Sequence, residues 1–283
     1  DGLKSFTSDG FTLGTNDKYN WTSPWNYVGW CWKFAGGTTS TNNDGNVETT
    51  IQANAKAGQS LVKWTGTGSN SRTLGTGLTK QAEMVIVKRY STTGSWFVYH
   101  HQAKSGAQPN DYGVVLLNSA AAYSEGSGAL TYWDISEWSN SVFSVGGDSQ
   151  INGSGDSMIA YAFHSVEGYS RFSSYTGNGN SNGTFVYTGF RPRMVFMKRV
   201  DGGTENWGVF DTARATYNPT SEHSDGQLVW DTNGLATAGS THGVDFLSNG
   251  FKLRGTGGLN NDSGGEYIYG AWGDVPFKYN NTF

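Results

Sequence analysis

An internal duplication narrows the folds open to this chain more than any other feature. The stretch LVKWTGTG at residues 61–68 aligns with FSSYTGNG at residues 172–179, 111 positions later. In nearly the same register, MVIVKR at 84–89 returns as MVFMKR at 194–199. Because recurrence at a fixed period marks tandem structural units, we predict two complete copies of one unit of about 110 residues.

The closing half of this unit recurs a third time, near the start of the chain. It has a Phe-x-x-x-Gly turn followed by an aromatic strand, and the copies are FTSDG with YVGWCWK (6–10, 27–33), FSVGG with MIAYAFH (143–147, 158–164) and FLSNG with YIYGAWG (246–250, 267–273). The predicted organisation is a partial repeat plus linker over 1–57, a first repeat over 58–168 and a second repeat over 169–283. Within the first of these, the polar stretch 35–58 is predicted to be a linker or surface loop, with a short helix over 47–57.

Composition favours strands along most of the chain. The sequence has 41 Gly, 14% aromatic residues and 15% charged residues, against about 25% charged residues in an average globular chain. Aromatic and β-branched stretches bounded by turn pairs such as Asp9-Gly10 and Asn178-Gly179 are typical of short strands. We predict an all-β fold of tandem antiparallel β-sandwich or jelly-roll-like repeats. A propeller is disfavoured because its blades repeat at about 40–50 residues.

Each closing strand should bury one face, since successive side chains of a strand point to opposite sides. Cys31 aligns with Ala162 and Ala271 and is therefore predicted to be a small buried hydrophobe rather than a reactive thiol. Six tryptophans lie in strands matched between the copies and are predicted to fill the core: Trp30, Trp32, Trp64, Trp96, Trp207 and Trp272.

The other five tryptophans lie in Ser-, Asn- and Asp-rich stretches that differ between the copies. Loops at the rim of a rigid scaffold commonly carry binding groups, and aromatic rings with a polar handle suit the faces of sugars. We therefore predict carbohydrate contacts at Trp21, Trp25, Trp133, Trp138 and Trp230.

A polysaccharide-cleaving site is the enzymatic alternative. His100 or His101, with Tyr99 and a carboxylate such as Asp111, would provide a general base. The position of His100 carries Asp211 in the second copy, so the chemistry of this position is not kept between the repeats. A non-enzymatic chain is the favoured interpretation.

Two acidic turns offer oxygen ligands of the kind that calcium takes. One contains Asp44, and the other contains Asp262 and Glu266. Neither follows the 12-residue calcium loop with its terminal Glu, and Asn, Asp and Gly are the ordinary residues of β-turns. No cofactor is predicted, with structural calcium at these turns as the alternative. The pairs Lys88-Arg89 and Lys198-Arg199, at strand ends, are predicted to point to water.

The charge and hydropathy of the chain argue against two classes of partner, nucleic acids and membranes. The net charge of −4 provides no basic stripe for phosphates, so nucleic acid is not expected to bind. No apolar run approaches the roughly 18 residues that a transmembrane helix needs, so no membrane partner is expected. The lone Cys31 excludes an intramolecular disulfide.

As a set, the repeated strings resemble a known group of sequences. SFTSDGFTLGTND with YVGWCWKFAGG, SLVKWTGTGSN with MVIVKR, and HSVEGYSRFSSYTGNG with FVYTGFRPRMVFMKR are similar to repeat modules in tail-fibre and other structural proteins of marine tailed bacteriophages. The resemblance covers nearly the whole chain. It implies a virion or extracellular location, often beside lectin-like β-sandwich modules, and it supplies no catalytic residues.

Three functional hypotheses follow. The first is a structural and receptor-binding segment of a phage tail fibre or virion appendage, which recognises cell-surface carbohydrate, contacts other virion proteins and forms a homotrimer. The second is a polysaccharide depolymerase, either a lyase or a glycoside hydrolase. The third is a purely architectural filament or decoration protein, in which the incomplete first module accepts strands from a neighbour.

Overall fold

The computed structural model describes residues 2–21, 26–103, 113–124, 131–218, 226–232, 234 and 241–273. These residues fall into two compact units, Asp1–Trp32 and Lys33–Phe283. The prediction of an all-β fold is confirmed, because short antiparallel strands account for nearly all the regular structure of both units.

The first unit contains a hairpin and one helical turn. β1 (Leu3–Phe6) pairs antiparallel with β2 (Phe11–Leu13). The turn α1 (Asp17–Asn20) follows, and the Asn16 side chain caps it by accepting a hydrogen bond from the Lys18 N–H. This cap satisfies one of the backbone donors that a helix start leaves unpaired.

The first part of the second unit is a seven-stranded antiparallel sheet with a two-stranded sheet and a helical turn. Its elements in chain order are β3 (Ser40–Asn42), β4 (Thr49–Asn54), β5 (Gln59–Thr65), β6 (Arg72–Gly75), β7 (Met84–Arg89), β8 (Trp96–His100), β9 (Val115–Leu116), β10 (Val142–Val145), α2 (Ser149–Asn152) and β11 (Ser157–Phe163). The large sheet has the order β3-β4-β5-β11-β7-β8-β9, and β10 pairs with β6 in the small one.

The second part has a five-stranded sheet and a three-stranded sheet. Its strands are β12 (Ser170–Thr176), β13 (Phe185–Tyr187), β14 (Met194–Arg199), β15 (Gly208–Asp211), β16 (Leu228–Val229), β17 (Val244–Leu247), β18 (Gly250–Leu253) and β19 (Glu266–Trp272). The orders are β12-β19-β14-β15-β16 and β13-β18-β17. The five-strand order β5-β11-β7-β8-β9 of the first part therefore returns in the second, as the duplicated sequence predicts.

In both parts the small sheet covers one face of the large sheet with apolar side chains. Leu74 of β6 and Phe143 of β10 belong to one buried cluster with Val87 and Ala160 of the large sheet. The matching cluster of the second part contains residues of β13, β14, β18 and β19, namely Val186, Val195, Phe251, Leu253 and Tyr269. Each repeat thus has its own two-layer core.

The linker and helix predictions for 35–58 are wrong. β3 and β4 lie inside this stretch, and β4 pairs with β5 from Thr50 to Asn54 and with β3 from Thr49 to Ile51. The physical reason is the alternation within Thr49–Asn54, which buries Thr49 and Ile51 on one side and exposes Thr50 on the other. The segment therefore extends the large sheet of the first repeat instead of connecting two modules.

The closing strand predicted over 27–33 is also wrong, because residues 26–33 form no strand. Its counterpart β19 lies between β12 and β14 and pairs with both. The described residues of the first unit contain no strands equivalent to those two, so nothing supplies the ladder that a central strand requires. The buried position predicted for Cys31 is wrong for the same reason, since this thiol is exposed.

Three of the six tryptophans predicted for the core are fully packed inside it. Trp64, Trp207 and Trp272 are buried. The other three, Trp30, Trp32 and Trp96, are half-buried.

Candidate functional site

Two of the tryptophans predicted to contact carbohydrate lie in the interior of the first repeat. Trp133 is fully buried, and its indole Nε1 donates to the Gly113 carbonyl oxygen at 3.1 Å. Trp138 is also buried and donates to the Ser144 carbonyl oxygen at 3.2 Å. Both rings pack against Tyr99. The rim position expected for Trp133 and Trp138 is wrong, because the polar segment around them folds onto the sheet and turns both rings inward, so neither ring is accessible to a ligand in this structure.

The other three predicted contacts fall in different surroundings. Trp21 of the first unit is exposed, and its backbone N–H donates to the Tyr27 hydroxyl. Trp230 is half-buried, with its ring centroid 5.0 Å from that of Phe196. Trp25 lies outside the described residues. Trp21 therefore has the accessibility that a ligand contact requires, and its binding role stays a prediction.

The histidines proposed for catalysis lie where the two repeats meet. His100 is buried, and its Nε2 donates to the Tyr269 carbonyl oxygen of β19 at 3.2 Å. Its Nδ1 accepts the Gln102 N–H, so both ring nitrogens have partners. His101 donates from Nε2 to the Phe172 carbonyl oxygen of β12 at 3.0 Å. Both imidazoles therefore join the first repeat to the second.

This arrangement does not support a general base at His100. Burial lowers the pKa of His100 to about 3, with a smaller contribution from the charge of His101, and the imidazole is neutral at physiological pH. Neither ring nitrogen is free to take a proton from a substrate. Tyr99 is a core residue, and Asp111 lies outside the described residues.

The low pKa of His100 predicts that acid weakens the fold well before the carboxylates are neutralised. The unfolded imidazole takes up a proton near its ordinary pKa of about 6.5, whereas the folded one does so only near pH 3. Between these values the unfolded state binds more protons, so the free energy of unfolding falls as the pH falls, by about 1.4 kcal/mol per pH unit from this group.

Urea denaturation at pH 7, 6 and 5 measures this slope. His100→Asn should flatten it without abolishing it, because burial also lowers the pKa of His242. An identical slope in the variant and the parent chain would contradict the assignment to His100.

The acidic turns proposed for calcium have other partners. The Asp44 carboxylate accepts the Asn42 amide at 3.0 Å inside its own turn. Asp262 forms an ion pair with Arg199 at 2.7 Å. Glu266 is exposed at the start of β19. Among the residues that the structure describes, no group of three or more His, Cys, Asp or Glu side chains is placed to hold a metal ion.

Lys198, predicted to point to water, is fully buried instead. Its ammonium donates to three carbonyl oxygens, those of Ala120 at 3.0 Å, Arg199 at 3.1 Å and Glu205 at 2.7 Å. Burial lowers the pKa of Lys198 to about 8, against the opposing charges of Asp231 and Glu205. Because Ala120 belongs to the first repeat, this side chain is a second polar connection between the repeats.

Two buried asparagines, Asn152 and Asn261, were missed by the sequence analysis. The Asn152 side-chain amide donates to Thr67 Oγ1, the Ser69 carbonyl and the Gly146 carbonyl. The Asn261 amide makes the matching set in the second repeat, to Asn178 Oδ1, the Asn180 carbonyl and the Gly255 carbonyl. Their recurrence 109 residues apart is the signal that identifies both as parts of the repeated scaffold.

The second repeat exposes an aromatic pair that the sequence analysis also missed. Phe185 and Tyr187 of β13 are 44% and 58% exposed, and Val186 between them is buried. Residues two apart on a strand share one face, so the two rings form one outward surface. We call this pair the β13 aromatic surface.

A cation, a side-chain amide and a glycine border the β13 aromatic surface. Lys252 lies directly opposite Phe185 on β18, and its ammonium donates to Asn182 Oδ1 at 2.7 Å. Gly250, opposite Tyr187, lies tightly against β13, since a Cβ there would collide with the Val186 carbonyl oxygen and come within 3.1 Å of the Phe185 ring. The surface therefore combines two flat apolar rings with a cation and an amide at its side.

The first repeat has no equivalent of the β13 aromatic surface. The matching strand β6 reads RTLG, and its buried Leu74 pairs with Phe143 as Val186 pairs with Phe251. The positions flanking Leu74 are Thr73 and Gly75. The scaffold therefore folds without aromatic rings at these two places.

Comparison with known proteins adds a family and nothing on activity. A family model described as a domain of unknown function, DUF7483, matches residues 1–276. No curated protein and no solved structure matches the chain. No helix in the described part of the chain is long and apolar enough to cross a membrane.

Proposed function

We propose that this chain, which belongs to the DUF7483 family, is a non-enzymatic binding and structural module that recognises cell-surface carbohydrate. The observation that carries the proposal is the β13 aromatic surface, Phe185 and Tyr187, which is exposed on one repeat and absent from the other. A large apolar pair that the fold does not require is a candidate for contact with a partner.

The chemistry of this surface fits a sugar better than an extended apolar partner. Aromatic rings bind the apolar faces of flat ligands, and the hydroxyl of Tyr187 provides a polar edge. Lys252 and Asn182 stand beside Phe185 with a donor and an acceptor already oriented by their mutual hydrogen bond. Two rings and a few fixed polar groups are the usual composition of a small-ligand contact surface.

The resemblance to phage repeat modules supports a place for the chain in a tail fibre or virion appendage. A receptor-binding segment there would contact other virion proteins, and a homotrimeric fibre would present the β13 aromatic surface three times. Repeated weak contacts raise the overall affinity without any new contact. In this proposal the chain is part of the virion, and its partner is a glycan on the surface of the host cell.

A binding screen with matched variants tests this proposal. The chain is applied to an array of bacterial capsular and algal polysaccharides, and the glycan bound most tightly is titrated against the double variant Phe185→Ala with Tyr187→Ala. We expect the dissociation constant to rise about tenfold or more, equivalent to about 1.4 kcal/mol. Both side chains are exposed, so their removal should change stability by only about 0.5 kcal/mol.

Tyr90→Ala is the matched control, because Tyr90 is 49% exposed and lies at the end of β7 in the other repeat. Its dissociation constant should equal that of the parent chain. Equal loss in the control and the double variant, or no glycan bound across the array, would overturn the proposal.

A purely architectural role is the second candidate, and the uncovered hairpin of the first unit favours it. Leu3, Phe6 and Phe11 are all exposed there. The polysaccharide depolymerase alternative gains no support from the described residues, because His100 and His101 bond to the backbone of the second repeat.

A further inference from the structure

The hairpin of the first unit is a counterpart of the β17–β18 hairpin. FTSDGFTL at 6–13 aligns with FLSNGFKL at 246–253. The backbone register agrees as well, because Phe6 pairs with Phe11 and Phe246 pairs with Phe251. The same local structure therefore occurs in two different surroundings.

The two hairpins differ in how much of their apolar face is covered. Phe246 and Phe251 are 3% and 0% exposed in the second repeat. Phe6 and Phe11, at the same positions, are 78% and 39% exposed. Each exposed ring therefore lacks much of the stabilisation that burial gives its counterpart.

The second repeat shows what covers this face. The Phe251 ring lies 6.0 Å from that of Tyr175 on β12 and 5.3 Å from that of Tyr269 on β19, and Phe251 pairs through its backbone with Val186 on β13. Because β18 pairs with β17 on one side and with β13 on the other, its hydrogen-bonding edges are both used. Within the described residues, β2 pairs with β1 alone.

We propose that the β1–β2 hairpin is a docking site for the opening strands of another repeat of this type. That segment would add a β13-like strand to the free edge of β2 and would lay a β12-like aromatic side chain over Phe11. Backbone pairing at an open strand edge supplies affinity, and the pockets for alternate side chains supply specificity. The inference is independent of the glycan proposal, since it concerns a different unit and a different class of ligand.

A second folded copy of this chain does not meet the requirement. The described residues contain two strands of the β13 type, β6 and β13, and each is already paired, β6 with β10 and β13 with β18. If two copies exchanged these strands, each β1–β2 hairpin that became covered would leave one present partner strand, β10 or β18, uncovered. The occupant is a separate segment whose opening strands have no closing hairpin of their own.

A peptide with the sequence of residues 169–200, which spans β12, β13 and β14, tests this docking site in trans. The labelled peptide is titrated into the full chain, and hydrogen exchange is followed at Leu3–Leu13. We expect saturable binding and slower exchange at these amides. Phe11→Asp should weaken binding about tenfold or more, because a charge would replace the apolar contact.

Tyr90→Asp is the matched control, since Tyr90 is exposed to a similar degree as Phe11 and lies in the other unit. It should leave peptide binding unchanged. Binding that ignores Phe11→Asp would overturn the proposal. Sedimentation showing that the parent chain self-associates through Phe11 would also overturn it, because a second copy would then be the occupant.

A graft in cis answers the same question if the peptide does not stay in solution. Val244 pairs with Leu253 as Leu3 pairs with Leu13, so a second copy of residues 169–243 is placed directly before Leu3. We expect exchange at the Phe11 amide to slow about as far as at Phe251. Unchanged exchange at Phe11 in this extended chain would contradict the docking site even where the peptide result is positive.

Discussion

Trp133→Ala is expected to lower the free energy of unfolding by about 3–5 kcal/mol, the usual loss when a large buried aromatic side chain is truncated. Trp133 is fully buried, lies 5.8 Å from the Tyr99 ring and 6.3 Å from the Trp138 ring, and bonds to the Gly113 carbonyl. The variant would leave a cavity among these rings and an unpaired carbonyl. Urea denaturation followed by tryptophan fluorescence measures the loss.

Tyr187→Ala is the matched control for this experiment. Tyr187 is exposed, so its removal should leave the unfolding midpoint nearly unchanged while weakening any glycan binding. The two variants should therefore have different effects. Trp133→Ala should lower the stability of the chain, and Tyr187→Ala should lower its affinity for the glycan. A stable Trp133→Ala chain that fails to bind glycan would instead restore the prediction that Trp133 is a ligand contact.

The misplacement of Trp133 and Trp138 shows where reasoning from repeats fails. Positions that differ between two copies do not belong to the packing pattern that the copies share. The sequence analysis interpreted such positions as exposed. In the first repeat, the stretch before β10 instead packs two indoles against Tyr99 and Phe143. An insertion that differs between the repeats can thus be part of the core of one of them.

The strand pattern, by contrast, could be predicted from local information. The short apolar runs that open MVIVKR and MVFMKR, repeated in both copies, are enough to predict β7 and β14, and both strands pair with the closing strand of their own repeat. The edge strand β3 and its neighbour β4 escaped prediction because their polar residues alternate with few apolar ones. Such strands form only because β5 offers them an edge, which is a tertiary effect.

The contacts between the repeats were also beyond the sequence. His100 and Lys198 look like surface polar residues, but both are buried where the two repeats meet. Each finds backbone carbonyls from across the junction, Tyr269 for His100 and Ala120 for Lys198. A buried polar group remains tolerable when it is fully bonded, and the partners here are 78 or more positions away.

The turns that hold Asn152 and Asn261 explain the glycines of WTGTG and YTGNG. Gly66 and Gly177 pack directly against the backbone of the turns that hold Asn152 and Asn261. A Cβ at either position would collide with that backbone. Gly68 and Gly179 adopt positive φ angles of 66° and 63°, which glycine tolerates best. These glycines serve a loop that wraps around a buried amide.

Asn261→Ala is accordingly expected to destabilise the second repeat by about 3 kcal/mol or more. The side chain of Asn261 is fully buried; its amide donates to the carbonyls of Asn180 and Gly255, and its oxygen accepts the Asn178 N–H at 3.0 Å. Alanine would leave these groups unpaired, at a cost of about 1–3 kcal/mol for each that stays buried. Asn152→Ala should have a similar effect on the first repeat, where Thr67 and Trp64 donate to the Asn152 oxygen.

Asn180→Ala is the control from the same loop, because its side chain is exposed and accepts only the N–H of Asn182. It should change the free energy of unfolding by about 0.5 kcal/mol. Urea denaturation of the three variants separates the cases, and hydrogen exchange at β12 and β5 assigns each loss to its own repeat. If Asn261→Ala were as mild as Asn180→Ala, the loop would be held by its backbone alone, and the shared asparagines would not be what fixes the turn in both repeats.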